Sequence, residues 1–293
     1  MVEKKFTVGS LIRNIVLWLV VVVMLFPIVH MISVSLSGTI DVYSGSISIL
    51  PKVGGKLSVT LAAYKAVLVD PLIFIAYKNT IIYTVLGTVV ALFVLATGAY
   101  ALSKPNRLLG GKAMNILVLI TMFFGGGMIP SFLCIKWLGL YDTIWAVVLP
   151  TAFTAYNCII MRSFFVNFPK EIEESGRLDG LNDIGILWYL VLPTSTAVLA
   201  TIGLFVAVGQ WNSFFNPLIY LNGSEKYPLQ IILRQIVLQN AMDEFEGGGN
   251  DPRFATDSIK YATIIFSIVP IIAVYPFLQK YFVKGVTLGS VKG

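Results

Sequence analysis

The chain has 293 residues, of which 57% are hydrophobic and 12% charged, with a mean hydropathy of +0.83. A soluble globular chain carries about a quarter charged residues, so an ordinary soluble enzyme is excluded, and so is a disordered chain. Two cysteines, Cys134 and Cys158, exclude a disulfide scaffold, and the net charge of +6 comes from cations spread singly between apolar runs, which fits a membrane rather than nucleic acid.

A spanning helix needs roughly 20 apolar residues. Six such stretches follow one another, at 14–36, 72–103, 113–133, 143–165, 194–214 and 261–283. The expected fold class is therefore all-α integral membrane, with six transmembrane helices. The first stretch has the basic start of a signal peptide (Lys4, Lys5, Arg13), but its apolar run reaches Ile32 without a small-residue cleavage site near Pro27, which fits an uncleaved anchor better. The second is longer than lipid requires, so Lys78 and Asn79 fall at an interface. Pro27, Pro150 and Pro270 lie inside spans, where neighbouring helices satisfy the freed carbonyls.

Lysine and arginine set the orientation. With the N-terminus inside, the inner segments hold 12 of the 21 cations and a net charge of +6, while the outer segments are neutral. Six spans then return the C-terminus to the cytoplasm. The chain divides into 1–71, the first helix with its outer segment, and 72–293, a five-helix core. That core carries a long inner segment at 166–192, a long outer segment at 215–260 that includes a helical-looking Leu229–Ala241, and an inner tail at 284–293.

Away from their inner ends, which hold Arg162 and Lys280, the spans contain no Asp, Glu or Arg. Ion-driven carriers place ionisable groups at membrane depth. Their lack speaks against such a carrier, although an ion-coupled carrier or channel is the alternative to hold in view. His30 can gate or bind, but reads more simply as an interfacial or buried histidine. Gly110-Gly111-Lys112 lacks the first glycine and the Ser/Thr of a phosphate loop, so no ATP site is expected. The acidic stretch at 243–251 lacks the ligand alternation of a calcium loop, and no metal site is expected. The sequon Asn222-Gly223-Ser224 carries no weight. A membrane enzyme would need a catalytic cluster, and one histidine supplies none.

The 166–192 segment carries the strongest signal. Pro169 suits a first helical position, Glu171, Glu173 and Glu174 complement the helix dipole, and Asp179-Gly180 reads as stop and turn. Leu178, Leu181, Ile184 and Leu187 recur at helical spacing and predict one apolar face. A helix lying in the lipid surface would be richer in Lys and Arg, so a protein partner fits better.

Here the residues resemble the EAA loop of ATP-binding-cassette (ABC) importer permeases, E-A-A-x3-G-x9-I-x-L-P. The sequence reads Glu174-Ser175-Gly176, then Gly180, then Leu190-Val191-Leu192-Pro193, with the spacing kept and three conservative replacements. The tail 279–293, Trp211-Asn212-Ser213-Phe214-Phe215-Asn216-Pro217-Leu218 and Gly139-Leu140-Tyr141-Asp142-Thr143 are similar to maltose-type carbohydrate permeases, as a second permease subunit. Phe124-Gly125-Gly126-Gly127-Met128-Ile129-Pro130 resembles the branch that handles complex or acidic oligosaccharides, such as those from alginate or pectin.

The resemblance implies a type I importer permease fold in a bacterial cytoplasmic membrane. It implies a second homologous permease, two copies of a cytoplasmic ATPase that holds ATP and Mg, an extracytoplasmic solute-binding protein and an oligosaccharide substrate. No cofactor is expected on this chain, no nucleic acid partner, and no catalysis of its own. Glu174, Ser175, Gly176, Leu178, Asp179, Gly180 and Leu181 would dock on the ATPase, with Glu174 and Asp179 as polar anchors, Leu178 and Leu181 as apolar contacts and Gly180 as the turn. In the tail, Lys284, Gly285 and Gly289 would reach the ATPase as an extended segment, unless that terminus merely frays. The 215–260 segment resembles a scoop loop that enters the binding protein. For the sugar path, Gln210, Trp211, Asn212, Tyr156 and Asn157 offer amides and aromatic faces. Packing between helices explains the same residues equally well.

Overall fold

The structure is a computed structural model that describes residues 8–47, 49–245 and 256–290. Its elements in chain order begin with α1 (Val8–Ser35), α2 (Thr39–Tyr43), a hairpin of β1 (Lys52–Val53) and β2 (Lys56–Leu57), α3 (Ala62–Val69) and α4 (Pro71–Ser103). Next come α5 (Gly111–Phe123), α6 (Met128–Trp137), α7 (Ile144–Val148) with a 3-10 turn at Leu149–Thr151, α8 (Ala155–Val166) and α9 (Lys170–Leu178). Then α10 (Asp183–Ile186) widens into a π turn at Leu187–Val191 and runs on as α11 (Leu192–Thr194). The last are α12 (Thr196–Trp211), α13 (Phe215–Tyr220), α14 (Leu229–Phe245) and α15 (Thr256–Ser290).

Two compact units share these elements: Met1–Ile73 with Leu233–Val269, and Phe74–Ile232 with Pro270–Gly293. In the first, serine hydroxyls at the end of α1 fix the following loop. Ser33 donates to the Ile49 carbonyl, Ser35 meets the Tyr64 hydroxyl at 2.9 Å, and Ser37 accepts the Lys52 N–H at 3.1 Å. His30 stands between the rings of Phe26 and Tyr261, 6.4 Å from each. In the second unit, α4 packs small residues (Ala91, Ala96, Ala99) against Cys158, Met161 and Phe165 of α8 and Val198, Ile202 and Val206 of α12. Small side chains let helix backbones approach closely where lipid supplies no hydrophobic drive.

Among the described residues, three uninterrupted helices are long and apolar enough to cross a membrane: Gly9–Ser35, Pro71–Ser103 and Asp257–Val274. Two more pairs pass together but are bent, Ile144–Thr151 with Ala155–Val166 by 50° and Asp183–Thr194 with Thr196–Trp211 by 84°. The stretch expected as one span at 113–133 is broken: α5 stops at Phe123, Phe124 is extended, and Gly127 takes φ +81° before α6. Three successive glycines have no side chains with which to hold a helix, and their backbone entropy disfavours one. Pro150 lies in the 3-10 turn ahead of the 50° bend. Pro193 offers no N–H to the preceding turn, and the backbone widens to a π turn just before it.

Two expectations are corrected, and one is met. In the 215–260 segment the helical stretch expected at Leu229–Ala241 is α14, preceded by α13; residues 246–255, with most of the acidic stretch, lie outside the described residues. The tail is not extended, because α15 carries the backbone as helix through Ser290, with 291–293 outside the described residues. Leu178, Leu181, Ile184 and Leu187 do not share one face: Leu178 and Ile184 are 89% and 68% exposed, while Leu187 is 4% exposed. The turn at Gly180 separates α9 from α10, which ends the common helical phase.

Candidate functional site

The 166–192 segment folds as a helix, a tight turn and a second helix. Gly180 takes φ +86°, which a glycine adopts without the Cβ clash of other residues. Its N–H bonds the Arg177 carbonyl at 3.0 Å, and the Leu181 N–H bonds Gly176 at 2.9 Å, which closes the end of α9. Asn182 then caps α10, its side-chain oxygen accepting the Gly185 N–H at 2.8 Å.

The inner face of α9 consists of Glu173 and Gly176, both buried. A Cβ on Gly176 would sit 2.6 Å from Cδ1 of Leu190, so α9 lies directly against the π turn. Glu173 is 5% exposed, and the Lys104 ammonium, just beyond α4, donates to its carboxylate. A second strap runs across the turn: Arg177 donates to Asp183, and Arg107 stands 3.6 Å from the same oxygen. The Asp183 hydrogen bond pushes the Arg177 guanidinium further above its ordinary value. These contacts fix α9 to the end of α4 by charge and to the π turn by shape.

The outer face is free. Glu174, Ser175, Leu178, Asp179 and Gly180 are exposed, and Leu181 is half-buried beside Gly176 and Gly185. A groove of about 300 Å³ runs along this face, lined by Glu171, Ile172, Ser175, Gly176, Asp179, Leu181 and Leu190. An acidic rim around exposed leucine and isoleucine can receive a partner that is basic at its edge and apolar at its centre. Sequence reasoning picked Glu174 and missed Glu173 and Lys104. The available signal was the i, i+3 spacing of Glu173 to Gly176, which marks one helix face.

The residues expected along a sugar path differ in burial and in their partners. Gln210 is 5% exposed, donates to the Thr151 hydroxyl at 2.5 Å, and packs where a Cβ on Gly87 would touch it. Among the described residues its Oε1 has no partner. Trp211 is buried edge-on to Tyr77, with ring centres 5.9 Å apart, and among the described residues its Nε1 is also without a partner. Asn212 is exposed and bonds back to the Val208 carbonyl at 2.9 Å. Tyr156 is exposed and Asn157 buried.

A further constellation, unanticipated as a site, surrounds Asp142. This residue takes φ +61° between α6 and α7. Its N–H bonds Tyr220, its carboxylate accepts the Asn222 N–H at 2.8 Å, and Lys226 donates to it. The Lys226 hydrogen bond, with that of Asn222, holds the Asp142 carboxyl below the usual carboxylate range. The clasp joins the 139–143 turn to the 220–226 turn.

Residues 101–288 match the model of the family described as "Binding-protein-dependent transport system inner membrane component". The chain is 42% identical over 272 residues to the polygalacturonan/rhamnogalacturonan transport system permease protein YtcP of Bacillus subtilis (strain 168), covering 91% of this chain and 92% of that protein. It is likewise 42% identical to Protein LplC of the same organism over 270 residues, covering 92% and 90%. Among solved structures, a chain of a bacterial ABC transporter involved in the import of the acidic polysaccharide alginate matches with a TM-score of 0.86 and 36% identity, over 96% of this chain and 99% of that one. The exposed helix-turn-helix, its buried tether and the EAA spacing thus sit in a chain that belongs to the binding-protein-dependent transport system inner membrane component family, the permeases of ABC importers.

Proposed function

We infer that this chain is the permease subunit of an ABC importer for oligosaccharides, and that acidic oligosaccharides such as those from pectin or alginate are its substrates. The observation that carries this reading is the near full-length similarity to YtcP and to the alginate importer chain. The chain crosses a bacterial cytoplasmic membrane six times, with both termini inside; α5 and α6 together make the third crossing. It pairs with a second permease, and each permease rests on one copy of an ATPase that binds and hydrolyses ATP with Mg. A solute-binding protein delivers the sugar from outside.

In this reading α9 is the coupling helix. Glu174 and Asp179 meet basic groups of the ATPase, and Leu178 enters its apolar cleft. ATP-driven closure of the ATPase moves α9 as a rigid body, and the Lys104–Glu173 pair carries that movement to α4. The unpaired Gln210 Oε1 and Trp211 Nε1 accept and donate to sugar hydroxyls when the path opens. The tail at Lys284, Gly285 and Gly289 lies toward the ATPase. The chain itself performs no catalysis and holds no cofactor.

The test is Gly180→Pro, which cannot adopt the φ of that turn, beside Glu174→Ala with Asp179→Ala. Both variants insert, since the spans are untouched. Copurifying ATPase and sugar-stimulated ATP hydrolysis in proteoliposomes should both fall severalfold. Wild-type values for both measurements would sink the assignment of α9.

A further inference from the structure

The unit formed by Met1–Ile73 and Leu233–Val269 contains a cavity that the coupling site does not use. Its volume is about 410 Å³, and its lining comes from the 37–41 turn, the hairpin, α3 and the start of α15. One carboxylate lies in that lining. Asp41 is 6% exposed, and its Oδ1 accepts the Gly55 N–H at 2.8 Å. Its Oδ2 is buried with no partner. Ser258 lines the same cavity at 2% exposure, and its hydroxyl also has no partner. The Ser37 hydroxyl and the cations Lys52 and Lys260 are engaged elsewhere. Ser37 donates to the Ser33 carbonyl at 2.6 Å, Lys52 donates to the Ser46 carbonyl at 2.9 Å, and Lys260 pairs with Asp257.

An ionised carboxylate withdrawn from water is costly unless a positive donor meets it. Within the described residues Asp41 has none. A metal ion is a poor match, because calcium asks for a shell of about six to eight oxygens and magnesium for near-octahedral order, while Asp41 is the single carboxylate among the described lining residues. Beside these two lie Ala63, Ala66 and Ile259, an apolar lining suited to an alkyl stem. Gly38 packs close over the carboxylate, and a Cβ there would stand 3.2 Å from Asp41 Oδ2.

We propose that this cavity binds an alkylguanidinium or alkylammonium group, with Asp41 Oδ2 and Ser258 Oγ accepting its N–H donors and the alanine wall covering its stem. Both a free amine and the arginine or lysine side chain of another protein carry that chemistry. The site stands apart from the coupling reading, so the failure of one leaves the other intact.

The experiment is saturation-transfer NMR on the full chain in lipid nanodiscs. Methylguanidinium is the probe; tetramethylammonium, which has no N–H, is the control at equal ionic strength. Methylguanidinium should receive saturation and tetramethylammonium should not. Asp41→Asn keeps the Oδ1 bond to Gly55 and the fold, yet should weaken binding by at least about tenfold, the loss expected of one charge-assisted hydrogen bond. Ser258→Ala should weaken it by a smaller factor. Equal transfer in wild type and Asp41→Asn, or none in wild type, overturns the proposal. A photo-crosslinking residue at Ile40, which lines the cavity and is 80% exposed, identifies the source in cells. An adduct at an arginine or lysine of another protein assigns the cation to that protein; binding of the probe without an adduct assigns it to a free amine.

Discussion

On α9 the side chains of Glu173 and Glu174 point about 100° apart, and this rotation separates their roles. Glu173 enters the protein to meet Lys104, and Glu174 stays in solvent. Glu173→Ala should cost about 1–3 kcal/mol, since it leaves Lys104 in a partly buried place without its counter-charge. The exchange Lys104→Glu with Glu173→Lys should restore much of that loss, read as thermal unfolding in nanodiscs and as sugar uptake per ATP hydrolysed. Single variants as active as wild type would remove the tether from the mechanism. Gly176 invites a second test. The atom nearest its missing Cβ is the end of a leucine side chain, which can swing aside. Gly176→Ala should therefore be nearly silent in melting temperature, in keeping with the alanine that the EAA motif has there, while Gly176→Leu should abolish stable assembly. The motif made Glu174 legible from spacing. It could not make Glu173 legible, because its partner lies 69 residues earlier and only the fold brings the two together.

Among the elements, the clasp at Asp142 behaves as a small titratable joint between two turns. Its carboxyl is held below the usual range, so the deprotonated form stabilises the folded chain. That contribution is complete at pH well above about 4, the unfolded carboxylate value, and is lost as pH falls through the lower folded value. Asp142→Asn should behave at neutral pH as the wild type does in acid. Hydrogen exchange of the Asn222 and Lys226 amides across that range checks it; protection indifferent to both pH and substitution would refute the joint. The alternation of apolar runs and breaks made the long helices legible in sequence. The bends were not, because a window of hydrophobicity sums over Gly125–Gly127 and Pro150 without registering that the backbone stops there.

For the molecule as a whole, the lysine and arginine distribution predicts 104–112 and 166–192 on one side of the membrane and 215–260 on the other. Single cysteines in a chain lacking Cys134 and Cys158 test this with an impermeant thiol reagent. A cysteine at residue 107 should stay unlabelled in intact cells, and one at residue 224 should react. Labelling at 107 would overturn both the topology and the role of α9. Family and fold class were legible from the sequence because the EAA spacing and the apolar lengths are properties of the chain alone. The helix α14 was legible as the helical stretch Leu229–Ala241, whereas the helical course of 284–290 was not, since the glycines of that tail argue for extended or irregular backbone.

The 84° bend at Ser195 makes α10, the π turn and α11 one arm of a bell crank whose other arm is α12. The short arm is about 18 Å long at 1.5 Å per residue; α9 meets its free end through the Arg177–Asp183 hydrogen bond and, nearer the bend, touches Leu190 through Gly176. A turn of the crank by about 10° sweeps that end by about 3 Å, the size of common helix displacements in switching proteins. Because the arms are nearly perpendicular, travel across the membrane surface at one end emerges at the other as tilt of a helix. The same angle that spoils a straight span thus supplies the leverage.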